Sequence, residues 1–185
     1  MELKDYLTIF IPCIVTSVGF IISIIINKQT YSQNIQKLKS EQQLTKLYGI
    51  QKDVLDYIDM FCTLVAHPDI NIDGMDNLQN KIRLTVICYG SENAVRLIEY
   101  IESMIFTCKD DNIKFSKSKY IAAHILLAMQ IKYDTTGIKT SPNIWYIGKY
   151  TTQRMLKDYS FYNDSILTIN DIVDELELAN FLKIE

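Results

Sequence analysis

The sequence predicts an all-α protein with one N-terminal transmembrane helix, a helical stalk and a small cytosolic helical domain. Residues 6–26 carry no charged side chain, and residues 28–66 contain no proline and a single glycine. Later segments repeat apolar residues at helical spacing, whereas the strict alternation typical of strands is missing. We place the transmembrane anchor at residues 1–27, the stalk at residues 28–46 and the cytosolic domain at residues 47–185.

The uncharged run at residues 6–26 is long enough to cross a membrane, because 21 residues in an α-helix rise roughly 30 Å, the thickness of a bilayer's hydrocarbon core. A removable signal peptide would need a basic start, a shorter apolar core and a small-residue cleavage site. The flanking sequences MELKD and IIINKQTY have none of these. A core helix of a soluble protein is disfavoured, because such helices are seldom apolar on every side.

The charged residues that flank this run predict its orientation. Residues 28–46 contain one acidic residue, Glu41, and four basic ones, Lys28, Lys37, Lys39 and Lys46. Lysines concentrate on the cytoplasmic side of a membrane helix. We therefore expect a single-pass protein with its N-terminus outside and its C-terminal domain in the cytoplasm. The four cysteines form neither a C-x-x-C pair nor a zinc spacing, which suits a reducing compartment.

A stripe of small and polar residues interrupts the apolar run at spacings of three and four. Its members are Thr8, Pro12, Thr16, Gly19, Ser23 and Asn27. On a helix they fall within an arc of about 100°, and Pro12 leaves the carbonyl of Thr8 without its usual donor. The stripe is interpreted either as a surface for close helix packing or as the wall of a water-filled pore. Both interpretations require self-association, and we expect a cyclic homo-oligomer of about four subunits.

Beyond the run, the spacing of apolar residues predicts one long helix or two in line. Ile35 and Leu38 stand alone among polar residues, which is typical of a solvated stalk. A regular series at spacings of three and four then follows, formed by Leu47, Ile50, Val54, Tyr57, Phe61 and Leu64. Barely two heptads are regular, so a helix that faces the core of the domain is favoured, with a coiled coil as the alternative.

Further helices are predicted after the loop HPDINIDGMDN, which contains His67. One helix ends at Gly90, and Ser91 caps the next, with Glu92 in its first turn. The helix of residues 117–133 has alanines that allow close packing. His124 lies within it, where a histidine is more often a satisfied core residue than a ligand.

The last third of the sequence is less regular. Ser141 and Pro142 are expected to open a helix, although a short β-hairpin at residues 144–150 is the alternative. An amphipathic helix is expected at the end of the chain.

The residues that catalysis commonly uses are scarce. The sequence has no glycine-rich phosphate loop, no H-E-x-x-H and no G-x-S-x-G, and its two histidines lie near no nucleophile pattern. We therefore expect no enzymatic activity, no catalytic residues, no metal site and no cofactor.

Charge is unevenly distributed along the domain. Residues 109–157 hold nine Lys or Arg against three Asp, and residues 158–185 hold seven acidic residues against Lys183. The two segments either pair with each other, or the basic one binds a nucleotide or single-stranded oligonucleotide through lysines and stacked aromatic rings. The candidate ligand-binding residues are Lys114, Lys117, Lys119, Tyr120, Trp145, Tyr146 and Lys149.

The layout, together with the segments CYGSENAVRLIEYIESM, QIKYDTTG and LKDYS, resembles the single-span membrane effectors of bacterial antiphage defence. Among these, the chain is similar to the channel-forming subunit of the Hailong system. The resemblance implies an abortive-infection effector in the bacterial inner membrane, an ion channel that oligomerises. It also implies control by an oligodeoxynucleotide that a partner nucleotidyltransferase makes.

Two functions from different classes follow from the sequence. The first is a membrane effector whose pore is gated by a ligand on the cytosolic domain. The alternative is a single-span anchor or scaffold whose helical domain recruits a protein partner without conductance. An anchored enzyme is a third class, and it would need a site made of ordinary polar residues.

Overall fold

A computed structural model describes the backbone of residues 3–110, 115–152 and 159–184. Within these ranges the side chains of residues 3–25, 27, 32, 35–36, 38–39, 108–110, 149–152, 159–163 and 165 lie outside the description. The described residues form helices and no strand, which confirms the all-α class. Among them, no helix combines the length and the apolar character that a membrane crossing requires.

Helix α1 (Leu3–Ala66) is a single helix of 64 residues, where the sequence allowed one helix or two. The chain divides into two compact units, residues 1–42 and 43–185. The division falls inside the segment predicted as the stalk. Every described side chain between residues 28 and 46 is exposed, as expected for a solvated stalk.

The C-terminal part of α1 belongs to the core of the second unit. Leu47, Ile50, Val54 and Tyr57 are buried, and Phe61 packs partly buried against them. These are the residues that recur at helical spacing, so the prediction of a core-facing helix is confirmed.

Helix α2 (Met75–Tyr89) and helix α3 (Glu92–Asp110) follow, and α2 packs against α3. Gly74 precedes α2 in the left-handed region at φ 82°, which glycine adopts without steric cost. Gly90 ends α2 as predicted, but its backbone is extended at φ −74°. The Oγ of Ser91 accepts the backbone N–H of Ala94 at 3.3 Å, which confirms Ser91 as the cap of α3.

Helix α4 (Lys117–Thr136) is the central element of the second unit and packs against α3 and the later α6. Ser116 caps its first turn, and Gly137 ends it in the left-handed region at φ 70°. All residues from Tyr120 to Ile131 are buried. Ala122, Ala123 and Ala128 have no exposed surface, as expected for close packing, and His124 is a core residue as predicted.

Helix α5 (Asn143–Thr152) replaces the alternative of a β-hairpin at residues 144–150. Helix α6 (Tyr159–Glu175) stops ten residues before the C-terminus, so the helix predicted at the end of the chain ends earlier than expected. Glu177 turns the backbone into the left-handed region at φ 50°. The N–H of Leu178 then donates to the carbonyl of Val173 at 2.8 Å, which closes the helix end.

A 3₁₀ helix (Asn180–Leu182) completes the unit and returns the chain to α6 and α4. Asn170 holds this return in place, because its side chain both donates to the carbonyl of Ile184 at 3.0 Å and accepts its N–H at 2.9 Å. Leu178 and Leu182 are buried as a result.

Candidate functional site

The predicted stripe lies entirely within α1, from Thr8 to Asn27. The side chains of Thr8, Pro12, Thr16, Gly19, Ser23 and Asn27 are outside the described residues. The choice between a pore wall and a packing surface therefore stays a prediction.

The lysines of the predicted ligand set have different positions. Lys117 and Lys119 are exposed in the first turn of α4. Lys114 lies outside the described residues, and the side chain of Lys149 on α5 does as well. Neither Lys117 nor Lys119 forms an ion pair with a residue that the structure describes, whereas Lys183 lies 2.5 Å from Asp174 within the acidic segment.

The aromatic residues of the same set are mostly in the core. Tyr120 is 3% exposed and Tyr146 is 1% exposed, while Trp145 is half-buried. The rings of Trp145 and Tyr146 contact each other edge to face at 5.2 Å. Because a base can stack only on an accessible ring face, the structure offers neither Tyr120 nor Tyr146 to a ligand at the surface.

Tyr120 instead joins α1 and α2 to α4. Its hydroxyl lies 2.7 Å from the hydroxyl of Tyr57 on α1 and accepts the amide N–H of Gln79 on α2 at 3.2 Å. Its ring packs against Phe61 at 4.8 Å and Phe115 at 5.1 Å. Burial raises the pKa of Tyr120, so the hydroxyl stays protonated and available for hydrogen bonding.

A cavity of about 200 Å³ lies between α2, α3 and α4, next to this cluster. Helix α2 contributes most of its polar side chains, α3 contributes most of its apolar ones, and α4 contributes His124. Its lining residues are Asp76, Gln79, Asn80, Ile82, Arg83, Ile98, Ile101, Glu102, Ile105, Phe106 and His124.

His124 is the most deeply buried polar group of the cavity, with 3% of its surface exposed. Its Nδ1 lies 2.9 Å from the carbonyl oxygen of Tyr120. Since a carbonyl oxygen can only accept, Nδ1 carries the proton. Nε2 is then an acceptor, and it has no hydrogen-bond partner among the described residues.

Burial lowers the pKa of His124 to about 4, and the hydrogen bond to the Tyr120 carbonyl opposes this only in part. The imidazole is therefore neutral at pH 7. The ring of Tyr57 stacks on it with 5.1 Å between centroids and 25° between planes, and the ring of Tyr120 lies at 4.4 Å. These contacts fix the orientation of the imidazole.

An ion pair bridges the two helices that carry most of the cavity's lining. Arg83 Nε on α2 lies 2.9 Å from Glu102 Oε1 on α3, and both side chains are partly exposed. Gln79, which donates to Tyr120, also lines the cavity. The carboxylate of Asp76 and the amide of Asn80 add polar groups on the α2 side.

The described lining residues determine which chemistry His124 can take part in. None of the described residues that line it is Ser, Cys or Thr, so His124 has no nucleophile to activate there. No group of three His, Cys, Asp or Glu suited to a metal occurs among the described residues. The described lining offers a small molecule the neutral acceptor of His124, the amides of Gln79 and Asn80, and an apolar wall.

Sequence patterns did not identify this cavity. His124 was assigned correctly to the core, but its unused nitrogen depends on the position of α2 and α3 around it. The available signal was a single polar, titratable residue in an apolar, alanine-rich stretch. Comparison with protein-family models, with curated proteins and with solved structures found no match to this chain.

Proposed function

We propose that the protein is a membrane-anchored effector subunit that self-associates through the N-terminal part of α1 and senses a small ligand in the cavity. One observation carries the proposal. Helix α1 holds both the uncharged run at residues 6–26 and Tyr57, whose ring stacks on His124 of the cavity. A ligand that moves His124 or Gln79 therefore acts on a residue of the same helix that carries the anchor.

Self-association is supported by the composition of residues 6–26. Pro12 leaves the carbonyl of Thr8 without an intrahelical donor, and lipid offers no replacement. Neighbouring helices or water inside an oligomer can supply it. The lysines that follow the run favour a cytoplasmic location for residues 43–185.

In its fullest form the proposal follows the resemblance to antiphage effectors. A homo-oligomer of about four subunits in the bacterial inner membrane forms an ion-conducting pore, and the ligand sets the fraction of open pores. A partner nucleotidyltransferase that supplies a nucleotide or oligonucleotide ligand belongs to this form. Such an anionic ligand would bind outside the cavity, with Lys117 and Lys119 as exposed contacts.

The second candidate is an anchor that recruits a protein partner and conducts nothing. The observation that favours it is the exposed apolar surface of α2, where Leu84, Ile87 and Tyr89 are 50%, 48% and 40% exposed. Such side chains often contact a partner when they form a contiguous patch.

Substitutions at Thr16 separate the two candidates. If Thr16 lines water, Thr16→Leu narrows and dewets the pore, so ion flux into liposomes falls while the oligomer persists. If Thr16 packs against a neighbouring helix, the added bulk separates the helices and the oligomer itself weakens. Light scattering in detergent measures oligomer size for each variant.

Two matched controls accompany this test. Thr16→Ser keeps the hydroxyl and is expected to be mild, and Ser17→Leu, about 100° around the helix, is expected to be tolerated. A wild-type protein that is monomeric in detergent would contradict both candidates. A wild-type oligomer without flux under any ligand condition would leave the anchor.

A further inference from the structure

Among the polar side chains that line the cavity, His124 is the most deeply buried one that can act as an acceptor. His124 Nδ1 is committed to the carbonyl of Tyr120, which leaves Nε2 as the unpaired polar atom of a side chain that is 97% buried and lines the cavity. A ligand that donates to Nε2 gains a hydrogen bond at the most deeply buried polar side chain of the lining. The position therefore favours a ligand with an N–H or O–H group.

Much of the wall around His124 is apolar. Ile82 of α2 and Ile98 and Ile101 of α3 are buried, and Ile105 is half-buried. Phe106 adds an aromatic ring to the lining. Apart from its donor, a ligand in contact with these side chains gains most from a flat, apolar body.

The volume of about 200 Å³ limits the size of that body. Cavities of about 150 Å³ hold one benzene ring, and drug-sized molecules need pockets of roughly 300 Å³ or more. One ring, or two small fused rings, is the size that this cavity accommodates.

The charges in the lining disfavour an anion. Asp76 and Glu102 are carboxylates, and the guanidinium of Arg83 is already paired with Glu102 at 2.9 Å. Among the described lining residues, no other side chain is cationic. A phosphate group in the cavity would therefore meet two like charges and no unpaired positive one.

We infer that the cavity binds a small, uncharged aromatic molecule of the phenol or indole type, whose O–H or N–H donates to His124 Nε2. The inference rests on the proposed function, in which this cavity is the ligand site. It differs from the nucleotide ligand expected from the basic segment. The low pKa of His124 supports it, because a protonated imidazole would have no acceptor.

Phenol and anisole form the decisive pair of probes, because they share a ring and differ in the O–H donor. We expect calorimetric titration of the full-length protein in detergent, corrected against detergent alone, to give at least tenfold tighter binding of phenol. In protein labelled with ¹⁵N-histidine, phenol is expected to shift the Nε2 signal of His124. The signal of His67, the other histidine of the chain and exposed in a loop, is expected to stay unchanged.

Variants test the location. His124→Leu removes the acceptor and should reduce phenol binding to the level of anisole. Ile105→Trp adds bulk to the half-buried wall and should abolish binding of both probes even if His124→Leu does not fold. Ile87→Trp, on the exposed surface of α2 and outside the lining, is the matched control and should bind phenol like the wild type.

Three results would overturn the inference. Equal affinity for phenol and anisole would show that no donor is recognised. Binding of neither probe, with the oligomer and ion flux intact, would remove the aromatic ligand and leave the effector function standing. Binding of a short oligodeoxynucleotide that Lys117→Glu with Lys119→Glu abolishes, without phenol competition, would assign the ligand to the surface of α4. Loss of the oligomer and of flux in the wild type is a separate result that contradicts the effector function alone.

Discussion

Helices α2 and α4 both line the cavity, but the rest of the domain covers them to very different extents. Helix α4 is buried from Tyr120 to Ile131 without interruption, whereas α2 buries only Ile82 and Val86. The side chains of Leu84 and Ile87 are about half exposed on α2. Interiors are closely packed and resist change, so α4 is the fixed floor of the cavity. We expect α2, which buries fewer side chains, to shift at smaller cost than α4.

Truncation of one leucine on each helix is the strongest test of this contrast. Leu126 on α4 has no exposed surface, and Leu84 on α2 is 50% exposed. We expect Leu126→Ala to lower the free energy of unfolding by about 2–5 kcal/mol, because it leaves a cavity in the core. Leu84→Ala should lower it by less than about 0.5 kcal/mol. Urea unfolding followed by circular dichroism measures both variants.

Similar losses of unfolding free energy for Leu126→Ala and Leu84→Ala would contradict this contrast, since they would mean that a partner or a second subunit covers α2. Repeating the measurement across protein concentration separates these cases, because a cover supplied by a second subunit is lost on dilution.

Acid pH tests His124, the residue that α4 contributes to the cavity. The pKa of His124 is lowered to about 4 in the folded protein against 6.5 when unfolded, so the unfolded state binds the proton more readily. Folding stability is therefore complete above pH 6.5 and falls by roughly 3 kcal/mol as the pH drops to 4. We expect His124→Leu to remove this part of the pH dependence, and His67→Gln to retain it.

Several other titratable or charged groups contact His124 or line the cavity beside it. They are Tyr57 on α1, Tyr120 on α4, Asp76 and Arg83 on α2, and Glu102 on α3. The difference between the wild type and His124→Leu isolates the imidazole, because both proteins keep these groups. Parallel pH curves for the two proteins would contradict a neutral, buried His124.

The end of α2 gives the smallest expected effect. A Cβ at Gly90 would lie 2.6 Å from the carbonyl oxygen of Val86 and 3.2 Å from Cβ of Ala94, so the backbone between α2 and α3 must move. We expect Gly90→Ala to destabilise by about 1–3 kcal/mol. Gly49→Ala is the matched control, because nothing lies within 4 Å of its added Cβ in the middle of α1.

Gly49→Ala should stabilise by up to about 1 kcal/mol, the usual difference in helix propensity. Thermal unfolding monitored by circular dichroism compares the two glycines. If Gly90→Ala leaves the thermal stability unchanged, the end of α2 repacks freely. That result would sharpen the contrast with α4.

Much of the fold could be predicted because helix packing leaves a periodic record. Leu47, Ile50, Val54 and Tyr57 recur at spacings of three and four and are all buried. Ser91 and Gly90 mark helix ends through local backbone chemistry alone. The burial of α4 could not be predicted from periodicity, because a helix that is buried on every side has no polar face to distinguish from an apolar one.

The site was harder to predict because its features depend on tertiary packing. Tyr120 and Tyr146 lie beside lysines in sequence, a pattern shared by surfaces that stack bases and by core helices with exposed edges. Their burial at 3% and 1% follows from neighbouring helices. The cavity depends on how far α2 and α3 lie from His124. The spacing of residues along the chain does not determine that separation.

The hydrogen bonds from Gln79 through Tyr120 to Tyr57 connect the cavity to α1. This connection bears on the ligand concentration to which the protein responds. If occupancy of the cavity changes the association of α1 by some factor, association must change the affinity for the ligand by the same factor. The protein would then respond to different ligand concentrations when it is itself at low and at high concentration. The abundance of the protein would then set the ligand concentration at which it responds, with no change in the ligand or in the site.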